Sequence, residues 1–455
     1  MIKMMAKKKK KKMNDEILEK LEVCGYETYL VGGYVRDEFL GRRNYDIDIT
    51  SQAKPNEIKE IFKDYKLVDI GAKFGTIKVF KDDKEYEITT MRKESSYNDK
   101  RHPDKIEFSD DIYEDLKRRD FTINAMAKRN NEIIDPFNGK VDIKLKVIRA
   151  VGNANDRINE DMLRALRAVR FATTLDFKIE DNLKKAIKNN ARLISDISKE
   201  RIQVEVNKIL LADNPKRGVK LLDEVGLLKY IFPEVYRTKG FNQHSTFHFE
   251  DVYDHSLTVL AKTPPILEVR MAALYHDVGK VDTFFLDENG EGRFFGHQNL
   301  SEELLINRLK ELKYSSKFIK ETSILVKRHM DNTNIYTKKS VRKLLRNIGE
   351  DNLLRLFALQ RADVLATRYG NDSNIDLGLK LLEEIKDDDI PKTRSEIKIN
   401  GNDLKQLGFK EGKELGDTIR KIENLIYDEK LKNNKKDIIN YINSRLKNVD
   451  WIIQK

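Results

Sequence analysis

Tyr29-Leu-Val-Gly-Gly-Tyr-Val-Arg-Asp37, followed by Asn44-Tyr-Asp-Ile-Asp-Ile49, decides how the amino-terminal part of this chain folds and what it carries. An apolar run ends in Gly32 and Gly33, and an amphipathic turn follows with Arg36 and Asp37 near its start. The chain then reverses at Gly41 and enters a short strand bearing Asp46 and Asp48. Residues two apart on a strand share a face, so the two carboxylates project together. Held side by side they repel, and a divalent cation relieves that repulsion. Such oxygen ligands suit Mg²⁺, which usually takes one or two carboxylates plus substrate phosphates. The two glycines let backbone N–H groups approach an anion, and the helix start that follows favours negative charge. Metal carboxylates beside a phosphate cradle imply nucleotidyl transfer.

Outward from this stretch, the pattern predicts a small mixed sheet with flanking helices that ends near Ala150. Residues 14–24 have helical spacing, and so do Pro55 to Phe62, with Pro55 in the first turn. Lys66 to Ile70, Gly75 to Phe80 and Tyr86 to Met91 alternate like strands. Glu87, on the last of these, is either a third carboxylate for the Asp46/Asp48 pair or a solvated strand residue. Arg92 to Pro103, containing Tyr97, Asp99 and Arg101, is polar and unpatterned and predicts a mobile loop. Beyond Asn159 helical periodicity dominates, with breaks near Thr238 to Gln243 and Asp387 to Pro391. The fold class is α+β: a sheet head followed by an extended all-helical remainder. The expected divisions are a Lys-rich extension at 1–12, a head at 13–150, a neck at 151–240, a further helical domain at 241–386 and a tail at 387–455.

Composition limits the partners. The 455 residues carry a formal charge of +11, but seven lysines lie within residues 1–12, so only +4 remains for the rest. An RNA-binding surface must therefore be local, and the lysine run reads as a disordered extension with nonspecific phosphate attraction. No apolar run approaches the ~18 residues of a membrane span. The single cysteine, Cys24, excludes an internal disulfide, fits a reducing cytoplasm, and reads as a small packing residue.

GGxVRDxxLG followed by DxD resembles the opening motif of the class II tRNA nucleotidyltransferase and poly(A) polymerase family, within the polymerase-β-like superfamily. Arg118-Arg-Asp-Phe-Thr-Ile-Asn124 resembles that family's second motif. The resemblance makes Arg119 a triphosphate contact and lets Asn124 reach a ribose or base edge. Asp135-Pro-Phe-Asn-Gly139 resembles the next motif, a turn that is structural or chemical.

Glu160-Asp-Met-Leu-Arg-Ala-Leu-Arg-Ala-Val-Arg170 bears on substrate. On one continuous helix, Met162, Leu163, Leu166 and Val169 gather on one face, with Arg164, Arg167 and Arg170 opposite. Asp161 then stands beside Arg164 by the i,i+3 rule. A carboxylate accepts from an exocyclic amine and an arginine donates to a ring nitrogen. That pair accepts cytosine and adenine, whose edges offer an amine beside an acceptor, and rejects uracil and guanine. The stretch is similar to the family's base-reading motif, which leaves Arg167 and Arg170 for phosphates or the primer end. Ser198 to Glu205 resembles the remaining helical motif, with Glu200, Arg201 and Glu205 bracing the neck through salt bridges.

Six of the seven histidines fall between His244 and His329. His255, His276-Asp277 and Asp363 resemble the H…HD…D pattern of the HD phosphohydrolase superfamily, either as a metal site or as a vestige of one. His297 and His329 lie where extended sites of that kind take further ligands. Such a donor set suits Ni²⁺, Mn²⁺, Co²⁺ or Zn²⁺ better than Mg²⁺.

The resemblance implies addition of CCA to the tRNA 3′ end from CTP and ATP with Mg²⁺ at the head. The alternatives are a poly(A) polymerase, an A-adding enzyme, or an RNA-directed HD phosphohydrolase.

Overall fold

The computed structural model describes residues 15–42, 44, 46–71, 75–82, 84–95, 105–130, 132–244, 250–368, 370–387, 391, 396–427 and 430–446. The expected Lys-rich extension, Tyr97, Asp99 and Arg101 lie outside the described residues. Residues 1–233 and 234–455 form two compact units.

The first unit opens with α1 (Asp15–Val23), β1 (Thr28–Val31), α2 (Gly32–Phe39), β2 (Asp46–Ser51) and α3 (Pro55–Ile61). A meander follows: β3 (Lys66–Gly71), β4 (Thr76–Lys81) and β5 (Lys84–Thr90). After the hairpin of β6 (Arg92–Ser95) and β7 (Lys105–Phe108) come α4 (Ile112–Lys117), β8 (Ala127–Arg129) and β9 (Glu132–Ile134). One mixed sheet runs β3-β4-β5-β2-β1-β8-β9. Within this sheet, among the described residues, only β2 and β5 pair in parallel, because the chain crosses over through α3, β3 and β4 between them. Their register sets Asp46 beside Glu85 and Asp48 beside Glu87, and paired residues share a face. All four residues of β1 are buried, and Tyr29 and Val31 join Met91, Ile112, Leu116 and Ala127 in a core cluster.

Two expectations are corrected here. Part of the loop expected at Arg92 to Pro103 is strand, since residues 92–95 pair with 105–108. Cys24 is exposed rather than packed, because it lies beyond the end of α1 at a turn. The Asp135 motif is a structural cap. Its carboxylate accepts from the backbone N–H groups of Gly139 (2.6 Å) and Lys140 (2.9 Å), at the start of α5 (Gly139–Leu145). A Cβ on Gly139 would stand 2.3 Å from the carbonyl oxygen of Thr122, so only glycine permits this approach.

A short parallel pair, β10 (Val147–Ile148) with β11 (Lys178–Ile179), ties the head to the helices of the same unit. Those are α6 (Ala154–Glu160), α7 (Leu163–Thr174), α8 (Asp181–Asn190), α9 (Lys199–Leu210) and α10 (Pro215–Glu224). Helix α7 packs against α9 and α10. Its Leu166 and Val169 are fully buried, each contributing roughly 1.5–3 kcal/mol.

The second unit is largely helical rather than all-helical, since Phe285–Leu286 pairs antiparallel with Gly292–Arg293; its helices are α11 (Val252–Lys262), α12 (Leu267–Tyr275), α13 (His297–Glu311), α14 (Ser316–Arg328), α15 (Lys338–Ile348), α16 (Glu350–Ala366) and α17 (Ser373–Asp387). Helices α11, α12, α14 and α16 pack on one another. Its last part, α18 (Gly401–Gln406), α19 (Lys413–Tyr427) and α20 (Lys435–Tyr441), has its own core of Leu404, Ile422, Ile426 and Ile438. No helix among the described residues is long and apolar enough to cross a membrane.

Candidate functional sites

Gly32 turns the chain from β1 directly into α2 with φ at +66°, a conformation that favours glycine. A Cβ there would lie 3.0 Å from Arg119 Nη1 and 3.2 Å from Asp48 Oδ2. The missing side chain therefore lets the strand–helix junction touch both groups. One cavity of about 980 Å³ is bounded by Gly32, Gly33, Asp46, Asp48 and Glu87, and by Arg36, Arg119, Asn124, Asp161, Arg164, Arg167 and Arg170. Ten cationic side chains and seven carboxylates line it among the described residues, a surplus that suits a polyanion.

The acidic side of this cavity is poised for a cation. Burial pushes the Asp48 carboxyl up, against the pull of Arg119, and Asp46 pushes it the same way. Burial likewise raises Glu87, with the Asp48 charge adding to it. Buried carboxylates crowded against one another are suited to a hard divalent ion.

The basic side is prearranged. Asp115, fully buried, accepts from Arg118 Nη2 (2.7 Å) and Arg119 Nη2 (3.2 Å), and these two guanidiniums hold its carboxyl low despite burial. Arg119 Nε is buried without a hydrogen-bond partner, a donor left for an incoming acceptor. Arg36 donates to Asn124 Oδ1 (2.7 Å) and to Asp37 (2.9 Å), and Asn124 in turn donates to Asp120 (3.1 Å). Asn124 is thus a connector between Arg36 and Asp120 as well as a lining residue. Although burial opposes it, Arg167 and Asn124 bring the Asp120 carboxyl down to about 2.

The helix expected to run through Glu160 to Arg170 is interrupted at Asp161, which corrects the i,i+3 pairing. Asp161 is extended (φ −151°, ψ 105°), and its Oδ1 accepts from Leu163 N at 2.9 Å, capping α7. The break turns Asp161 away from Arg164. Its Oδ2 instead accepts from Arg201 Nη2 at 2.6 Å, whereas Arg164 pairs with Glu160 and donates to the carbonyls of Arg157 and Arg118. Arg170 pairs with Glu205 (2.6 Å) and Arg167 with Asp120 (2.7 Å), so neither stands as an unspent cation. Arg201 and Glu205 form salt bridges as the sequence predicts, but both partners are cavity residues.

In the second unit, His255, His276, Asp277 and Asp363 meet. His255 Nε2 lies 3.0 Å from Asp363 Oδ1, and His276 Nε2 lies 3.3 Å from Asp277 Oδ2 and 3.7 Å from Asp363 Oδ1. His276 Nε2 is buried and has no hydrogen-bond partner. Burial opposes its protonation, yet the two carboxylates raise His276 to about 9. Lys280 reaches Asp277 Oδ2 at 2.7 Å. His297 and His329 approach the same Asp277.

Residues 28–149 match the family described as "Poly A polymerase head domain", residues 176–237 "Probable RNA and SrmB- binding site of polymerase A", and residues 294–442 tRNA nucleotidyltransferase domain 2. The CCA-adding enzyme of Streptococcus thermophilus is 36% identical over 94% of this chain and 95% of its own length. That of Ligilactobacillus salivarius is 38% identical over 93% and 94%. The chain belongs to the CCA-adding enzyme family. The crystal structure of the Bacillus stearothermophilus CCA-adding enzyme in complex with CTP superposes with a TM-score of 0.74 at 27% identity, covering 95% of this chain and 97% of that one.

Within this CCA-adding family frame, the head-domain match contains Gly32, Asp46, Asp48, Glu87, Arg119 and Asn124. Reading the sequence missed several cavity residues. Phe171 lies under the Arg170 guanidinium (3.8 Å from the ring centroid), with Arg36 at 5.0 Å and Arg167 at 5.4 Å. Its aromatic ring beside an arginine every third residue was a legible signal. Lys78, Glu85 and Lys208 carried none, because their places depend on strand pairing and helix packing.

Proposed function

We propose that the chain extends the 3′ end of tRNA with CCA from CTP and ATP, without a nucleic-acid template, in the cytoplasm. The observation that carries this reading is the single cavity where Asp48, the Gly32 turn, Arg119 and the Asp161/Arg164 region meet. The relatives named CCA-adding enzymes support the same activity. In the reaction the RNA 3′-hydroxyl oxygen bonds the α-phosphorus of the nucleotide, the α–β anhydride bond breaks, and pyrophosphate leaves.

Asp46, Asp48 and Glu87 are the residues that would hold divalent metal, and their hard oxygen donors favour Mg²⁺. Such an ion would acidify the attacking hydroxyl and offset charge on the leaving pyrophosphate. Arg119 and Arg36 orient the triphosphate, while the Gly32 N–H donates to the Met126 carbonyl and the Gly33 N–H serves Asp48. Base choice falls to Asp161 and Arg164, which must exchange Arg201 and Glu160 for the base edge of C or A. Arg167, Arg170 and Asn124 hold the floor of the site through Asp120, Glu205 and Arg36.

Incubating the protein with tRNA lacking its 3′ end and each labelled nucleotide separately tests this. Two C then one A, and no more, is expected. A long A tract would indicate a poly(A) polymerase, and no incorporation would remove the transferase reading. Asp161→Ala is expected to lower discrimination against UTP by about tenfold, roughly 1.4 kcal/mol of the 1–3 that a good base contact supplies. Unchanged selectivity in single-nucleotide assays would release Asp161 from that role.

A second reading concerns the other unit. His255, His276, Asp277 and Asp363 are proposed to bind a transition metal such as Ni²⁺, Mn²⁺, Co²⁺ or Zn²⁺ and to serve phosphoester hydrolysis. The orphaned His276 Nε2 favours it. Hydrolysis of 2′,3′-cyclic nucleotides with Ni²⁺ or Mn²⁺ but not in chelator is its test.

A further inference from the structure

The head sheet runs β4-β5-β2-β1 across the carboxylates proposed to hold metal, and its register sets them in rows. Lys78 on β4 is opposite Glu87 on β5, and Glu87 is opposite Asp48 on β2. In the next row Phe80 is opposite Glu85, and Glu85 is opposite Asp46. Directly paired residues share a face. The intervening Ile77, Val79, Tyr86 and Ile88 are buried on the other face, so Lys78, Glu85 and Glu87 look into the cavity that they line with Asp46 and Asp48.

These acids lie between two sources of positive charge. On the β1 side stand Arg36, on the helix that Gly32 opens, and Arg119, whose Nη1 lies 3.0 Å from where a Gly32 Cβ would be. On the β4 side stands Lys78, one strand beyond Glu87 and two beyond Asp48, at ~4.8 Å per strand. Lys78 pairs with Glu85, but the two side chains are 24% and 35% exposed, and a pair so exposed is weak. An ammonium has three donors, so the pairing leaves Lys78 donors for a second acceptor.

Nucleotidyl transfer sets the attacking hydroxyl and the leaving pyrophosphate roughly in line through the α-phosphorus. With the triphosphate held by Arg36 and Arg119 on the β1 side, the RNA 3′-hydroxyl must come from the side of β5 and β4. It brings an anion with it, the phosphodiester that joins the last two nucleotides. The carboxylate rows repel that anion, and Lys78 is the cation their own sheet face supplies. Arg167 and Arg170, expected from the sequence to hold the primer end, are instead paired with Asp120 and Glu205. Farther out on the face that holds Lys78, Lys66 is opposite Phe80, with its Nζ 5.3 Å from the ring centroid. The path away from the carboxylates thus continues over an aromatic ring and a second cation, a surface that suits single-stranded RNA.

We infer that Lys78 binds the last phosphodiester of the RNA and so fixes the side from which its 3′-hydroxyl attacks. The inference rests on the transferase reading and adds to it the residue that receives the primer backbone.

The test uses tRNA lacking its 3′ CCA, made with and without a neutral methylphosphonate at its last internucleotide linkage. Lys78→Met is expected to raise the KM for tRNA about tenfold, the loss of one charge-assisted hydrogen bond, with kcat and the KM for CTP unchanged. Lys78→Arg should stay near wild type. The methylphosphonate should cost the wild type the same factor and cost Lys78→Met nothing, since that variant has no cation left to lose. Lys78→Met combined with Glu85→Gln should match Lys78→Met alone, and circular dichroism reports whether each variant is folded. An equal methylphosphonate penalty in wild type and a folded Lys78→Met overturns the inference. So does recovery of the tRNA KM on adding Glu85→Gln, which would reduce Lys78 to a neutraliser of Glu85. A wild type indifferent to the methylphosphonate overturns it without recourse to any variant. Absence of CTP incorporation by the wild type on either RNA would instead remove the transferase reading itself.

Discussion

Asp48→Asn is expected to lower CTP incorporation by about a thousandfold, the ~4 kcal/mol that a metal-stabilised transition state loses with its anchoring charge. The substitution keeps the shape of the side chain but removes the carboxylate between Glu87, the Gly32 turn and Arg119. Asp46→Ala is expected to behave alike. Binding of tRNA, measured by filter retention, should persist, because neither carboxylate is a cation that meets phosphate. Loss of binding in parallel with incorporation would contradict a metal-holding role, and retained incorporation would sink it outright.

Asp115→Ala is expected to destabilise the first unit by about 3 kcal/mol, the low end for breaking a buried ion pair, since both arginines keep some solvent. It should also cost activity, because Arg119 loses the bond that aims it at Asp48. The sign of the pH dependence follows from the lowered Asp115 carboxyl. A carboxyl held below its ordinary 3.8 contributes fully above that value and loses the contribution as pH falls through the folded-state value. The gap between wild type and Asp115→Ala in denaturant melts should therefore be widest near neutrality and narrow in acid. A constant gap across pH would show that the charge pairing is not what stabilises.

The residues that line the head cavity were legible because their patterns are local. Two glycines at a strand end, two aspartates two apart and an Arg-Arg pair each stand out within a few residues, and each lies in the head cavity. Glu87 was legible only as a choice, since nothing within its strand says which neighbour it meets; the parallel pairing of β2 with β5 sets it beside Asp48. The Glu160–Arg170 stretch shows how periodicity misleads. Asp161 prefers to cap α7 with its carboxylate, a local hydrogen bond that competes with helix continuation. Helical spacing alone does not register that competition.

By itself, then, the order of residues settled the mixed-sheet head, the helical remainder and the identity of the acidic and basic groups, because strand alternation, helix period and glycine freedom act over a few residues. Tertiary structure alone decided the partners. It paired Asp161 with Arg201 and Glu205 with Arg170, and brought His255, His297 and His329 from three other segments to the two oxygens of Asp277. Those contacts span tens of residues, where only packing of whole elements determines which side chains meet.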